Sequence, residues 1–187
     1  DLRYADPGKV ADTIIENRDL IVGVKVRQGG AQVGDNGVDP LKLAIEAAER
    51  ADVPIMCHIG AGVRLPGILK LMRPGDVITH CFQGVGDSIL DEKGRVIPDA
   101  WAARQDGVIF DVGHGAGSFR YEVAQQAMQQ GFISDVISTD LHIGNINGPV
   151  YDLPTTLSKF LHLGLSLETV IEKATIQPAK AIQRDDE

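Results

Sequence analysis

Five positions along this sequence carry side chains able to hold a metal ion or move a proton, and each stands in or just after a short apolar run. They are Lys25, His58, His80, Asp111 with His114, and Asp140. Neutral imidazole nitrogen and carboxylate oxygen suit zinc and similar divalent ions, and ligands drawn from separate segments suit a catalytic site that keeps open positions. Lysine is the odd member, because an ammonium cannot ligate a cation. An unpaired ammonium inside an apolar strand costs several kcal/mol, so Lys25 is expected at a strand end, paired, or chemically modified. As a carbamate, formed with carbon dioxide on the neutral amine, it would present two oxygens to two metals.

The elements that must position these groups follow from the hydrophobic pattern. Strands are expected at 20–26, 53–58, 76–80, 107–111 and 134–139, each a short apolar or β-branched run. Helices are expected between them. Asp6-Pro7 and Asp39-Pro40 read as N-cap and first-turn pairs, with apolar stripes Val10, Ile14, Ile15 and Leu41, Ile45, Ala48. Further helices are expected at 65–72, 98–105, 119–130 with Gly131 as C-cap, 153–163 and 167–174, with a final turn from Gln177. The stretches 28–38 and 81–98 are expected to be loops.

Strands alternating with helices imply a parallel sheet, since parallel neighbours need crossover connections. An open doubly wound sheet and a piece of a (β/α)8 barrel both fit the alternation. In either, ligands bind beyond the C-terminal ends of the strands, where the five positions are expected to fall. Singly, each is a weak signal. Together they imply a polar site on one rim of the sheet.

Composition bounds the alternatives. The 187 residues are 43% hydrophobic and 24% charged, ordinary for one globular domain. Eighteen basic against 26 acidic side chains leave a net charge of -8, with no basic cluster interleaved with aromatics. Neither nucleic acid nor an anionic membrane is an expected partner. No long apolar run or leader pattern is visible, and two cysteines, Cys57 and Cys81, make no disulfide framework. A cytoplasmic setting is therefore expected. Strand alternation would turn both cysteines away from the site, into packing. Gly113, Gly115 and Gly117 follow a strand but fail the dinucleotide-binding spacing, because Ser118 stands where the third glycine is required.

The ordered set GVKVR at 23–27, MCHIG at 56–60, THCF at 79–82, DVGHG at 111–115 and STDLH at 138–142 resembles the amidohydrolase superfamily. More closely it resembles the dihydroorotase-like branch of deacetylase-type metallohydrolases, as does the later stretch from Gly148-Pro149 through DLPTTLSK at 152–159. The resemblance implies a (β/α)8 TIM barrel of which residues 1–187 supply strands four to eight. It implies two divalent ions, most simply zinc, bridged by a carboxylated Lys25 and bound further by His58, His80 and Asp140. Asp140 would also be catalytic, passing a proton from a metal-bridging hydroxide to the leaving group. His114 would contact the substrate or its developing oxyanion, with Arg27 and His142 in the same substrate-binding shell.

The implied activity is hydrolysis of an amide or ester bond of a small molecule, deacetylation being the favoured example. A cyclic amidohydrolase such as a dihydroorotase is the alternative, and a homo-oligomer is compatible with either. The family's first strand carries a His-x-His pair, and none occurs in this sequence. Strands one to three and the small β-domain are accordingly expected outside these residues, and the chain alone is expected to bind metal weakly and to be inactive. A catalytically inactive barrel piece serving as a binding or assembly module is the competing reading.

Overall fold

The computed structural model describes residues 2–185. Helix α1 (Pro7–Glu16) starts as the sequence predicts, with the Asp6 side chain accepting from the Lys9 N–H at 3.1 Å and Pro7 in the first turn. Strand β1 (Val24–Gln28) leads through a short helix α2 (Gly30–Val33) and a 3-10 turn (Gly34–Asn36) to α3 (Asp39–Ala51). Next come β2 (Ile55–Ile59), α4 (Leu65–Leu69), β3 (Val77–Thr79), α5 (Pro98–Gln105), β4 (Ile109–Asp111) and α6 (Tyr121–Gln129). Helices α7 (Leu153–His162), α8 (Leu167–Ala174) and α9 (Ile176–Ala181) follow, α7 capped by Asp152 and α8 by Ser166.

The strands form a four-stranded parallel sheet in the order β1-β2-β3-β4. Sequence reasoning expects a fifth strand at 134–139. That segment does lie parallel beside β4, where Val112 N–H donates to Val136 O and His114 N–H to Ser138 O, but only the Asp111–Val136 bridge is regular. Polar Ser134 and Asp135 at its start break the ladder: the Asp135 carboxylate takes the Phe110 N–H, at 2.8 Å. The first strand is also displaced. It begins at Val24 rather than residue 20, so Lys25 is its second residue and not its end. Residues 28–38 are partly helical rather than a plain loop, and Asp39 is the first residue of α3 while Val38 caps it.

Register fixes what each face carries. Arg27 pairs with His58, His58 with Thr79 and Thr79 with Asp111, and residues two apart share a face. One face therefore bears Lys25, Arg27, Met56, His58, Val77, Thr79, Ile109 and Asp111. The other bears Val26, Cys57, Ile78 and Phe110, and packs with Leu41, Ala44, Ala48, Ile68 and Ala100 of α3 to α5 into the main core. Both cysteines are buried, as alternation requires. In α1 only Ala11 and Ile14 are buried, against Ala51 of α3, while Val10 and Ile15 are exposed.

The face that bears Lys25 and His58 is itself divided. Toward the N-terminal ends of the strands, Val77 and Val136 pack against Ala181 of α9, with Met56 and Ile109 beside them. Toward the C-terminal ends the side chains are polar. Among the described residues no helix is long and apolar enough to cross a membrane.

Candidate active site

His58 and His80 carry the centre of the site. His58 is the fourth residue of β2, and His80 follows β3 with a φ of +70°, a left-handed conformation uncommon outside glycine. That turn swings the His80 ring back over the sheet. Its Nδ1 lies 2.6 Å from Gly113 O and its Nε2 2.7 Å from His58 Nδ1, and the two rings meet edge to face at 4.4 Å. Because Nδ1–H of His80 must donate to the carbonyl, its Nε2 lone pair points at His58, which donates in turn. Burial pushes the His58 pKa down to about 4, reinforced by the charges of His80, Arg27 and Lys25, so the ring is neutral at neutral pH. Burial lowers that of His80 as well, against the pull of the Gly113 carbonyl.

Two nitrogens this close could be brought onto one ion. Nitrogens bound at 2.0–2.1 Å to one tetrahedral zinc stand roughly 3.3 Å apart, so the pair would open by roughly 0.6 Å around an ion. Binding also requires the His58 proton to move to Nε2, beside which Gly60 leaves room: a Cβ there would come within 3.5 Å. The Gly113 carbonyl is the outer partner that fixes ring and tautomer in metal-ligating histidines. Gly113 has to be glycine, with φ +45° and a would-be Cβ 2.8 Å from His80 Nδ1.

Lys25 and Asp140 face this pair through their charges. Lys25 remains exposed on the open face, yet burial of its surroundings lowers its pKa, opposed by Asp111 and Asp140 in that order. A lowered amine pKa is the condition for carbamate formation. Asp140, left-handed at φ +48°, acts on Lys25, His58 and His80 alike, and its Oδ2 lies over Gly115, where a Cβ would come within 3.0 Å. Arg27 is exposed one strand over from His58. His142 is exposed in the loop after Asp140, its Nδ1 accepting from the Gly144 N–H at 3.0 Å.

His114 stands apart from that group. It is 3% exposed, Nδ1 lies 2.9 Å from Gly115 O, Nε2 takes the Lys159 ammonium at 2.7 Å, and the ring stacks on Phe119 at 4.6 Å. Both ring nitrogens are committed, and burial with the Lys159 charge keeps the ring neutral. Among the described residues no group of three or more His, Cys, Asp and Glu side chains is arranged to hold a metal ion. The donor set present thus fits two ligands of one ion, with Lys25 and Asp140 alongside.

Sequence reasoning did not single out four supporting groups. Thr79 and Ser138 donate to Asp111 Oδ2 at 2.6 and 3.0 Å, leaving Oδ1 buried without a partner. Lys159 holds His114, and Asn145 ties the loop after Asp140. Thr79 and Ser138 could have been found from strand parity with Asp111. Lys159 lies 45 residues along the chain from His114. Asn145 is only five residues past Asp140, but nothing in the sequence marks it as the one side chain of that loop that turns inward.

A parallel α/β sheet carrying an ionisable rim at its C-terminal edge fits part of a (β/α)8 barrel. A deacetylase of Enterococcus faecalis is 45% identical over 184 residues, 96% of this chain and 50% of that protein. A deacetylase of Agrobacterium fabrum is 38% identical over 188 residues, covering 100% of this chain and 46% of that protein. Among solved structures, an adenine deaminase superposes with a TM-score of 0.94 at 42% identity, over 98% of this chain and 51% of that one. A dihydroorotase superposes with a TM-score of 0.92 at 38% identity, over 100% and 49%. No family model matches the sequence. The resemblance holds: the homologues, named deacetylase, adenine deaminase and dihydroorotase, are those of the amidohydrolase superfamily, and the chain spans about half the length of the curated relatives it matches.

Proposed function

We propose that this chain supplies the catalytic rim of a metal-dependent hydrolase that cleaves an amide or ester bond of a small molecule, deacetylation being the favoured reaction. The convergence of His58 Nδ1 and His80 Nε2 at 2.7 Å, with His80 locked by the Gly113 carbonyl, carries this reading. His58 and His80 would hold one ion from β2 and the end of β3. Lys25, as a carbamate, would supply oxygens to that ion and to a second one, which Asp140 would also ligate. When bound, two divalent cations, zinc by preference for this donor set, would lower the pKa of a shared water and polarise the substrate carbonyl.

The remaining work falls to the chain's own side chains. Asp140 would accept a proton at Oδ2 as water adds to the carbonyl carbon, then deliver it to the nitrogen or oxygen that leaves. One carbonyl C–N or C–O bond breaks, one C–O bond forms, and an acid and an amine or alcohol result. Arg27 and His142, both exposed around the pair, would bind the substrate's polar end. His114 could join them only by releasing Lys159.

Acetate release from N-acetyl amino acids and acetyl esters by the full-length, zinc-supplemented protein that contains these residues tests the reaction. Turnover that falls roughly 10²- to 10⁴-fold in Asp140→Asn is expected. Absence of turnover on the whole panel, or an unaffected Asp140→Asn variant, would overturn it. Metal analysis of Lys25→Ala tests the carbamate separately, and metal content equal to that of the unaltered protein would remove that role. The similarity to a dihydroorotase favours a cyclic amide as the second reading, and ring opening of cyclic amides without acetate release would select it.

A further inference from the structure

The loop that follows Asp140 is mostly turned to solvent. Leu141 is 45% exposed, Ile143 91% and Ile146 44%, yet Asn145 in their midst is 0% exposed. A buried amide in an exposed loop must have its polar atoms satisfied, and here they are spent on the residues flanking the site. Asn145 Nδ2 donates to Asp140 O at 2.9 Å, and Asn145 Oδ1 accepts from the His142 N–H at 2.8 Å. Its backbone ties the same turn: Asn145 N–H donates to His142 O at 2.9 Å, and its carbonyl accepts from Gly148 and Tyr151 at 3.1 and 3.3 Å. One side chain thus clamps the carbonyl of Asp140 and the amide of His142.

Asp140 needs such a clamp. Its left-handed backbone is a conformation that non-glycine residues keep only where the surroundings impose it, at a cost of roughly 1–3 kcal/mol. Relaxing it would move the carboxylate from its place over Gly115. We propose that Asn145 is a positioning residue for Asp140 and His142, holding the loop so that the Asp140 carboxylate faces His58, His80 and Lys25. The proposal rests on the reading of Asp140 given above.

The test uses the full-length, zinc-loaded protein that contains these residues and two readouts, zinc affinity by competition with a chelator and the split of kcat from KM on the best acetyl substrate. Outer-shell partners of this kind cost about 10- to 100-fold when removed. Asn145→Ala should therefore lose that much in both kcat and zinc affinity, with KM rising as well because the turn that holds His142 is released. Asn145→Asp keeps the acceptor for His142 but loses the donor to Asp140, and should be as low in kcat as Asn145→Ala. It also serves as the second variant if the alanine protein fails to fold by circular dichroism. Ile143→Ala, in the same loop and exposed, should leave both readouts unchanged.

Zinc affinity and kcat unchanged in Asn145→Asp, or an equal loss in Ile143→Ala, would overturn the proposal. An Asp140→Asn variant as active as the unaltered protein would instead overturn the role of Asp140 itself, so the two failures are distinguishable.

Discussion

The two ends of the sheet treat carboxylates in opposite ways. At the N-terminal floor, Asp76 is 1% exposed and fully engaged: it accepts the Ile55 N–H at 2.9 Å, the Arg73 N–H at 2.8 Å and the Arg73 guanidinium at 2.9 and 3.0 Å. Asp135, just before Val136, likewise takes the Phe110 N–H and Arg104, both at 2.8 Å. At the C-terminal rim, Asp111 keeps one oxygen buried and unpartnered, Asp140 is exposed, and both His80 and Asp140 sit in left-handed backbone. Carboxylates at the floor spend themselves on backbone N–H groups and arginines, which stabilises the fold. Those at the rim are left with free valence and strained backbone, which is where function resides in parallel α/β folds.

Four substitutions or measurements can break that contrast. The largest stability loss is expected at the floor, where Asp76→Ala leaves Arg73 half-buried and the Ile55 N–H unsatisfied. About 3–5 kcal/mol should vanish in chemical denaturation, and a loss below 1 kcal/mol would show that the floor network is not structural. Gly113→Ala comes next. Its Cβ would meet the Thr79 hydroxyl and His80 Nδ1, and its left-handed φ adds strain, for a loss of about 2–4 kcal/mol. Zinc affinity should fall with it, since the His80 anchor moves.

Lys159→Ala sharpens the contrast within the rim itself. It leaves His114 Nε2 buried without a donor, costing about 1–3 kcal/mol by denaturation, but zinc affinity should hold because His114 lies outside the convergent pair. The smallest effect is kinetic. Cys57 is buried, with its thiol pushed up to about 12 by burial, and Cys81 is buried too with its thiol raised. A maleimide should label neither at neutral pH until the protein unfolds, and fast labelling of the native protein would contradict the packing.

The alternation of strand and helix was legible in the sequence because apolar runs and Asp-Pro starts are local signals. Helix α8 and helix α5 fall where the pattern puts them. The regular fifth strand was not legible, because its loss depends on Asp135 capturing a ladder N–H from β4, a contact 25 residues away. The same division runs through the site. Residue type and strand position marked His58, His80 and Asp140, and parity turned Cys57 away from them. That His114 belongs to a different environment depends on Lys159, which is 45 residues away. Strand-end position alone cannot tell a histidine whose ring meets a second histidine from one whose ring is held by a lysine.

Zinc affinity of His80→Ala beside His114→Ala, each compared with the unaltered protein by chelator competition, tests the central claim most directly. The converging pair predicts that His80→Ala loses at least about tenfold in affinity while His114→Ala retains it. Retention of zinc by His80→Ala, or an equal loss in His114→Ala, would contradict the account.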